Sequence, residues 1–534
     1  MEWRFFKFNL PGHWAIVAAA LLPALPSYAT DWRITPRLDL EESYTDNIYL
    51  APPQSQKNDF ISQISPGISL NETGPRFKVT ADYQMQNIIS ARENARNFID
   101  TIRNNESYSI SDIKVSTFNH LYANASAELV KNHFFIESYA TVRQQTVSAY
   151  GPQAVDNLYI QGNNTEVRTF SLSPYLRNRY SNFATSELRY NYSTVSADTA
   201  GFGSSQANAV VFNLASGSAF SQAGWALHYN QQKSGYGSGQ DLTATNFSGD
   251  VRYMLTHRLA LTATAGNERY NYASVSGQPQ GNYWAAGFSW APSTRTSLVA
   301  NVGRKFFGRT GALSANVRSR RTVWSVSYSE SITTTQEQFQ LAAPRTISPA
   351  GLNKLWEDLY PDAIGRQNAV DFALGPTASD STEVPIKPAT VFTNQVYLLK
   401  TWTASAVATG VKNSLVFNLY NTLAKAQTSS TTVLLQIPFN ATLFDETRQT
   451  GVNGRWGLRV SPRSSVNLSG SYSVTSALTT QRRDTTQLYR LELMRQLQMK
   501  LTGSLSLTHM LWHSTANNAY VRENVLTASL NMKF

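Results

Sequence analysis

The stretch Glu523–Phe534, ENVLTASLNMKF, alternates with a period of two. Leu526, Ala528, Leu530, Met532 and Phe534 fall on one side, and Thr527, Ser529, Asn531 and Lys533 on the other. Successive strand side chains point to opposite faces, so this is a strand with one apolar and one wet face. It is either the closing stave of a cylinder or the edge of a sandwich sheet.

The other end of the chain helps to choose. Arg4 and Lys7 precede an apolar run from Trp14 to Leu25 and then Ser27-Tyr28-Ala29. The pattern reads as a cleavable secretory signal over residues 1–29, cut after Ala29. No later window is apolar enough for a spanning helix, so an exported chain of this kind is soluble or crosses a membrane as a barrel. Cysteine is absent, which excludes a disulfide scaffold and thiolate metal sites. Aromatic residues make up 12% and charged residues only 15%, with 26 Tyr and 29 Gly, a composition that suits strands with one polar face. The net charge of +11 points, for an exported chain, to lipopolysaccharide phosphate or acidic polysaccharide and not to nucleic acid.

From Trp32 onward the alternation recurs. Phe77, Val79, Ala81, Tyr83 and Met85 oppose Lys78, Thr80, Asp82, Gln84 and Gln86; Leu501, Gly503, Leu505 and Leu507 oppose Thr502, Ser504, Ser506 and Thr508. Each run matches the ~9–11 residues that cross a bilayer as a tilted strand. Tight turns at Thr73-Gly74-Pro75, Lys131-Asn132-His133, Ser181-Asn182, Gln222-Ala223-Gly224, Thr256-His257-Arg258, Pro292-Ser293-Thr294 and Pro462-Arg463-Ser464 mostly alternate with longer connections. That asymmetry is expected of an outer-membrane barrel. Counting hairpins predicts an all-β, antiparallel transmembrane β-barrel of roughly 22 strands, between about 20 and 24, over residues 30–534 with both termini periplasmic. Thr527, Ser529, Met532 and Phe534 then form a terminal signal of the sort that barrel-assembly machinery reads.

One region breaks the rhythm. Residues 337–393 are rich in Pro, and Leu352, Leu355, Trp356 and Leu359 are spaced for a short amphipathic helix, stopped by Pro361. This long loop is expected to act as a lid or plug. The stretch TTVLLQIPFNATLF, residues 431–444, is a second irregularity, read as a loop hairpin or a misplaced strand boundary.

No catalytic constellation, metal site or cofactor site emerges. His509 and His513 lie on one strand face ~13 Å apart, too far to share a metal. GYGSG at 235–239 lacks the following Lys and helix of a phosphate loop and reads as a hairpin tip.

The informative polar set is the face opposite the lipid. Arg143, Arg177, Arg179, Arg189, Arg318, Arg320, Lys400, Arg455, Arg459 and Arg490 sit among apolar residues. A cation on the lipid face at midplane costs about 2–4 kcal/mol, so these side chains are expected in the lumen. Either they pair with Glu128, Glu137, Glu187, Glu268 and Glu492 and brace the wall, or they form an electropositive ladder for an anionic polymer.

Three stretches carry a family resemblance: ESYTDNIYL, DFISQISPGISL and ELVKNHFFIESYATVRQQ. With Thr45-Asp46-Asn47 and Ser65-Pro66-Gly67-Ile68, the chain resembles the exosortase/PEP-CTERM-system-associated outer-membrane protein family; LYPDAIGRQNAV is similar to its loop element, with Pro361 before Asp362. The resemblance implies a multi-pass Gram-negative outer-membrane barrel in an exopolysaccharide context and supplies no catalytic residues. Asp46-Asn47 is expected to start a loop, and Pro66-Gly67 to bulge or kink the second strand. The expected function is a porin-like conduit exporting an anionic exopolysaccharide or other envelope polymer, with periplasmic export partners. The alternatives are a non-conducting surface scaffold that binds extracellular matrix and, third, a barrel enzyme.

Overall fold

The computed structural model describes residues 32–92, 115–146, 148–152, 164–197, 204–236, 241–272, 274, 278–334, 337–338, 396–428 and 446–534. The signal segment 1–29, the helix expected near Leu352–Leu359 and the irregular stretch 431–444 lie outside the described residues, as does all but the start of the 337–393 loop.

The strands run in chain order as β1 (Arg33–Thr45), β2 (Asp59–Thr73), β3 (Phe77–Ser90), β4 (Ser116–Val130), β5 (Phe134–Thr146), β6 (Asn164–Tyr180), β7 (Ala184–Ala197) and β8 (Ser204–Ser216). They continue as β9 (Ala223–Tyr236), β10 (Asp241–Thr256), β11 (Leu259–Tyr270), β12 (Gln280–Ser293), β13 (Thr296–Lys305), β14 (Gly308–Arg318) and β15 (Thr322–Thr334). The rest are β16 (Val396–Thr409), β17 (Asn413–Ala426), β18 (Thr447–Ser461), β19 (Ser464–Ala477), β20 (Arg483–Gln498), β21 (Leu501–Ser514) and β22 (Ala519–Lys533). Each pairs antiparallel with its neighbours in sequence, and β1 pairs with β22 from Arg37↔Lys533 to Thr45↔Val525, closing one 22-stranded sheet. Phe534 donates its N–H to the Pro36 carbonyl at 2.9 Å, so the last residue is also tied to β1. Closure leaves no sheet edge unpaired.

The polarity of the wall is that of a membrane barrel. Leu505, Leu507, Leu526, Leu530, Phe247, Val251 and Val302 are exposed on the outer face. Ser43, Thr45, Ser65, Asn418, Asn453, Ser506 and Thr527 are buried on the inner one. Such an apolar exterior has a stable environment only in lipid. Outward Tyr44, Phe60 and Trp284 lie toward one rim and Tyr180, Tyr253, Trp290 and Trp324 toward the other, where amphipathic rings prefer to sit. The chain is an outer-membrane β-barrel of the Gram-negative envelope.

Every connection on the rim holding the start of β1 and the end of β22 is short, as on the periplasmic side of such barrels. The expected Gln222-Ala223-Gly224 turn falls slightly earlier, at residues 217–222. On the opposite rim β13 and β14 depart from the pattern of longer loops, joined through residues 306–307 alone.

The expected bulge at Pro66-Gly67 is absent. β1 and β2 keep one register through both residues. Pairing to β3 skips Ser65 and Pro66 and resumes at Gly67↔Gln84 in the same register, so the missing proline N–H costs a rung without displacing the ladder. Gly67 has another use. A Cβ there would lie 2.8 Å from Arg37 Nε, and the bare backbone lets the Arg37 side chain cross β2 to reach Asp82 on β3 in a bidentate pair.

Candidate functional site

The site is the lumen and its outer mouth. Register assigns the inward face strand by strand. Arg143 on β5, Arg177 and Arg179 on β6, Arg189 on β7, Arg318 on β14, Arg455 and Arg459 on β18 and Arg490 on β20 share the side of the buried polar residues. Arg320 lies in the turn after β14. Lys400 takes the other parity, that of exposed Trp402, and pairs at 3.5 Å with Glu330 directly across on β15.

Acids accompany these bases. Arg177 meets Glu187 at 2.7 Å, Arg189 meets Glu137 at 2.7 Å and Glu187 at 3.1 Å, and Arg455 meets Glu492 at 3.7 Å. Lys305 meets buried Glu268 at 3.2 Å. At these positions the guanidiniums cross-brace neighbouring strands as compensated ion pairs set among Ser, Thr, Asn and Tyr.

The Thr45-Asp46-Asn47 motif sits where β1 meets β22 at the outer rim. Thr45 Oγ1 donates to Glu523 at 2.6 Å, and Asp46 accepts from the Asn524 N–H at 2.8 Å and from its Nδ2 at 2.6 Å. Fully buried Asn47 bonds the Ala51 N–H and the Ala51 and Arg522 carbonyls. Lower on the same seam Thr527 bonds Ser43 at 2.8 Å, Ser529 bonds Ser504 of β21 at 2.6 Å, and Met532 and Phe534 are exposed outside.

Among the described residues several segments turn in from the outer rim. After β1 the loop carries Ile48 and Leu50 onto inward Ile61, Ile88, Phe118 and Val525, and Leu50 also meets Met510, Trp512 and Val521. After β5, Ser148, Ala149 and Tyr150 are buried. The Tyr150 hydroxyl bonds Thr447 Oγ1 on β18 at 3.1 Å, Gly151 N donates to Asp484 Oδ2 on β20 at 2.9 Å, and the Arg482 guanidinium covers the Tyr150 ring at 4.8 Å. Gly151 takes φ +92, a conformation open to glycine, which turns the strap back onto Asp484. Arg482 and Ser514 hold that carboxylate in place. The strap thus joins β5 to strands on the far side of the β1–β22 seam. Sequence reasoning missed it, and the only local sign was Tyr150-Gly151-Pro152 breaking the alternation.

No protein-family model matches the chain. No curated protein matches it either. Among solved structures it is similar to the FrpB iron transporter from Neisseria meningitidis (10% identity, TM-score 0.48, covering 97% of this chain and 84% of that one). It is similar also to the ferric-catecholate import receptor Fiu from E. coli K12 (8% identity, TM-score 0.46, 93% and 81% covered). A third is the siderophore receptor PirA from Pseudomonas aeruginosa (8% identity, TM-score 0.41, 94% and 80% covered).

Proposed function

We propose that the barrel is a gated conduit exporting a hydroxyl-rich envelope polymer, with exopolysaccharide the class that the family resemblance implies. The observation that supports this reading is the strap Ser148–Pro152, which closes part of the outer mouth through a few polar contacts around Tyr150 and Asp484. Contacts of this kind exchange readily with water, so the strap can leave without unmaking the wall. The paired lining shifts the basis of selection. With acids beside Arg177, Arg189, Lys305 and Arg455, neutral hydrogen-bonding groups and not an electropositive ladder would meet the cargo.

Single-channel conductance of the purified protein in a planar bilayer tests this. The wild type should be nearly silent with brief openings, and Tyr150→Ala with Asp484→Asn should conduct steadily. If both stay silent, with insertion verified by protease protection, the conduit reading fails and a matrix-binding surface scaffold replaces it.

A further inference from the structure

We infer that the inner wall over β4–β6 is a binding track for pyranose chains, a reading that rests on the conduit proposed above and names the chemistry its lining takes. Inward-facing aromatic side chains are unevenly placed. Phe118 and Tyr122 on β4, Phe135 and Tyr139 on β5 and Tyr175 on β6 share one side of three adjacent strands. Elsewhere among the described residues Tyr420 on β17 and Trp512 on β21 stand apart, while Tyr270 gathers with Tyr272 and Phe306 at the outer end of β11–β13 and does not continue down the wall.

The stripe runs along the direction in which a polymer would travel. Phe118 is near the outer rim, Tyr122 and Tyr139 meet edge to face at 5.8 Å, and Phe135 stacks on Tyr175 at 5.0 Å near the periplasmic rim. Four residues separate successive rings on β4 and on β5, ~13 Å along the strand. Hydrogen-bonding groups flank the rings: Asn124 lies opposite Tyr139, Ser173 donates to Asn191 at 2.8 Å, and the Tyr175 hydroxyl donates to Glu137 at 3.0 Å. Tyr175 is buried, stacked on Phe135 and covered by Arg189 at 3.9 Å, which also neutralises Glu137, so this pair backs the lower end of the track and its platforms are Tyr122 and Tyr139.

Flat apolar rings beside neutral donors and acceptors match a pyranose, which presents axial C–H groups on its faces and hydroxyls round its rim. A polypeptide or acyl chain would use only half of that pattern. Compensation of Glu137 and Glu187 by Arg189 and Arg177 leaves little net charge at the lower end, so neutral glycans are accommodated as well as acidic ones.

The test is equilibrium binding of cellohexaose and of hexagalacturonate to the full-length protein in detergent, with conductance recorded on the same preparations. Tyr122→Ala with Tyr139→Ala should weaken binding about tenfold, whereas the Tyr→Phe pair, which keeps the rings, should stay within about twofold of wild type. Tyr420→Ala, on a different part of the inner wall, should leave binding unchanged. Failure of both hexamers to bind the wild type, equal binding by the Ala pair, or a like loss in Tyr420→Ala overturns the track whatever the conductance. Binding that follows the expected order in a barrel that never conducts supports the track and overturns the conduit instead.

Discussion

Asn47 spends its whole side chain on one joint. It is buried, and its amide satisfies the Ala51 N–H and two carbonyls, one of them on β22. Asn47→Ala would strand those groups, and an unsatisfied buried donor or acceptor costs about 1–3 kcal/mol. The urea midpoint of the folded, heat-modifiable form should fall accordingly, while exposed Asn58→Ala should shift stability by no more than about 0.5 kcal/mol. Gly67→Ala should also destabilise, because its methyl would meet Arg37 Nε at 2.8 Å and push the guanidinium off Asp82. Adding Arg37→Ala should then recover part of the loss, a coupling readable from a double-mutant cycle. Both motifs are visible in sequence as unusual stretches, but their partners are not. Asn524 lies 478 positions from Asp46, and only barrel closure makes them neighbours. Lys400 shows the converse, a placement that local pattern does contain. It shares the parity of Leu398 and Trp402, which marks the outer side that the register gives it.

The elements that turn inward decide whether the wall encloses a passage. Just beyond the end of β15, Glu337 accepts from Gln232 Nε2 of β9 at 3.0 Å and from Thr334 N at 3.1 Å. Burial pushes its carboxyl above the ordinary range, against the opposing pull of those hydrogen bonds. A raised carboxyl pKa favours the neutral form in the folded state. Its contribution is therefore complete below the unfolded pKa and is lost as pH rises through the folded one. Amide exchange at Thr333 and Thr334 should accordingly quicken with pH beyond its intrinsic chemical dependence, and Glu337→Gln should remove that excess. If the two proteins show the same pH profile, the coupling is refuted. Strand elements were legible because lipid on one side and water on the other impose a period of two wherever the chain crosses. Inturned segments carry no such period. Tyr150 reaches Thr447 across 297 positions, and nothing local in Tyr150-Gly151-Pro152 names that destination.

At the scale of the whole barrel, closure was legible from Leu526–Phe534 and from the regular turns, whereas the electrostatic character of the lumen was not. Sequence supplies a basic excess, and cross-strand register decides how much of it is compensated. Glu187 is opposite Arg177, Glu137 reaches Arg189 and Glu492 reaches Arg455, while Lys400 lies on the outer side with Glu330, so much of the charge that composition suggests for an anion path is spent within the wall. Arg320, in a turn, adds charge to the rim and none to the stave. Compensation makes a definite forecast for ion selectivity in a barrel opened by Tyr150→Ala. Under a salt gradient its reversal potential should lie near zero, since paired charges attract neither ion strongly. Adding Glu137→Gln and Glu187→Gln leaves Arg177 and Arg189 without their acids, and the reversal potential should move toward that of chloride. The shift should be larger at low ionic strength, where screening lengths exceed the spacing of charges across the passage. Strong anion selectivity before the glutamates are changed would mean that unpaired arginines, and not the braced pairs, face the current, and the reading of the lumen as charge-compensated would have to be abandoned.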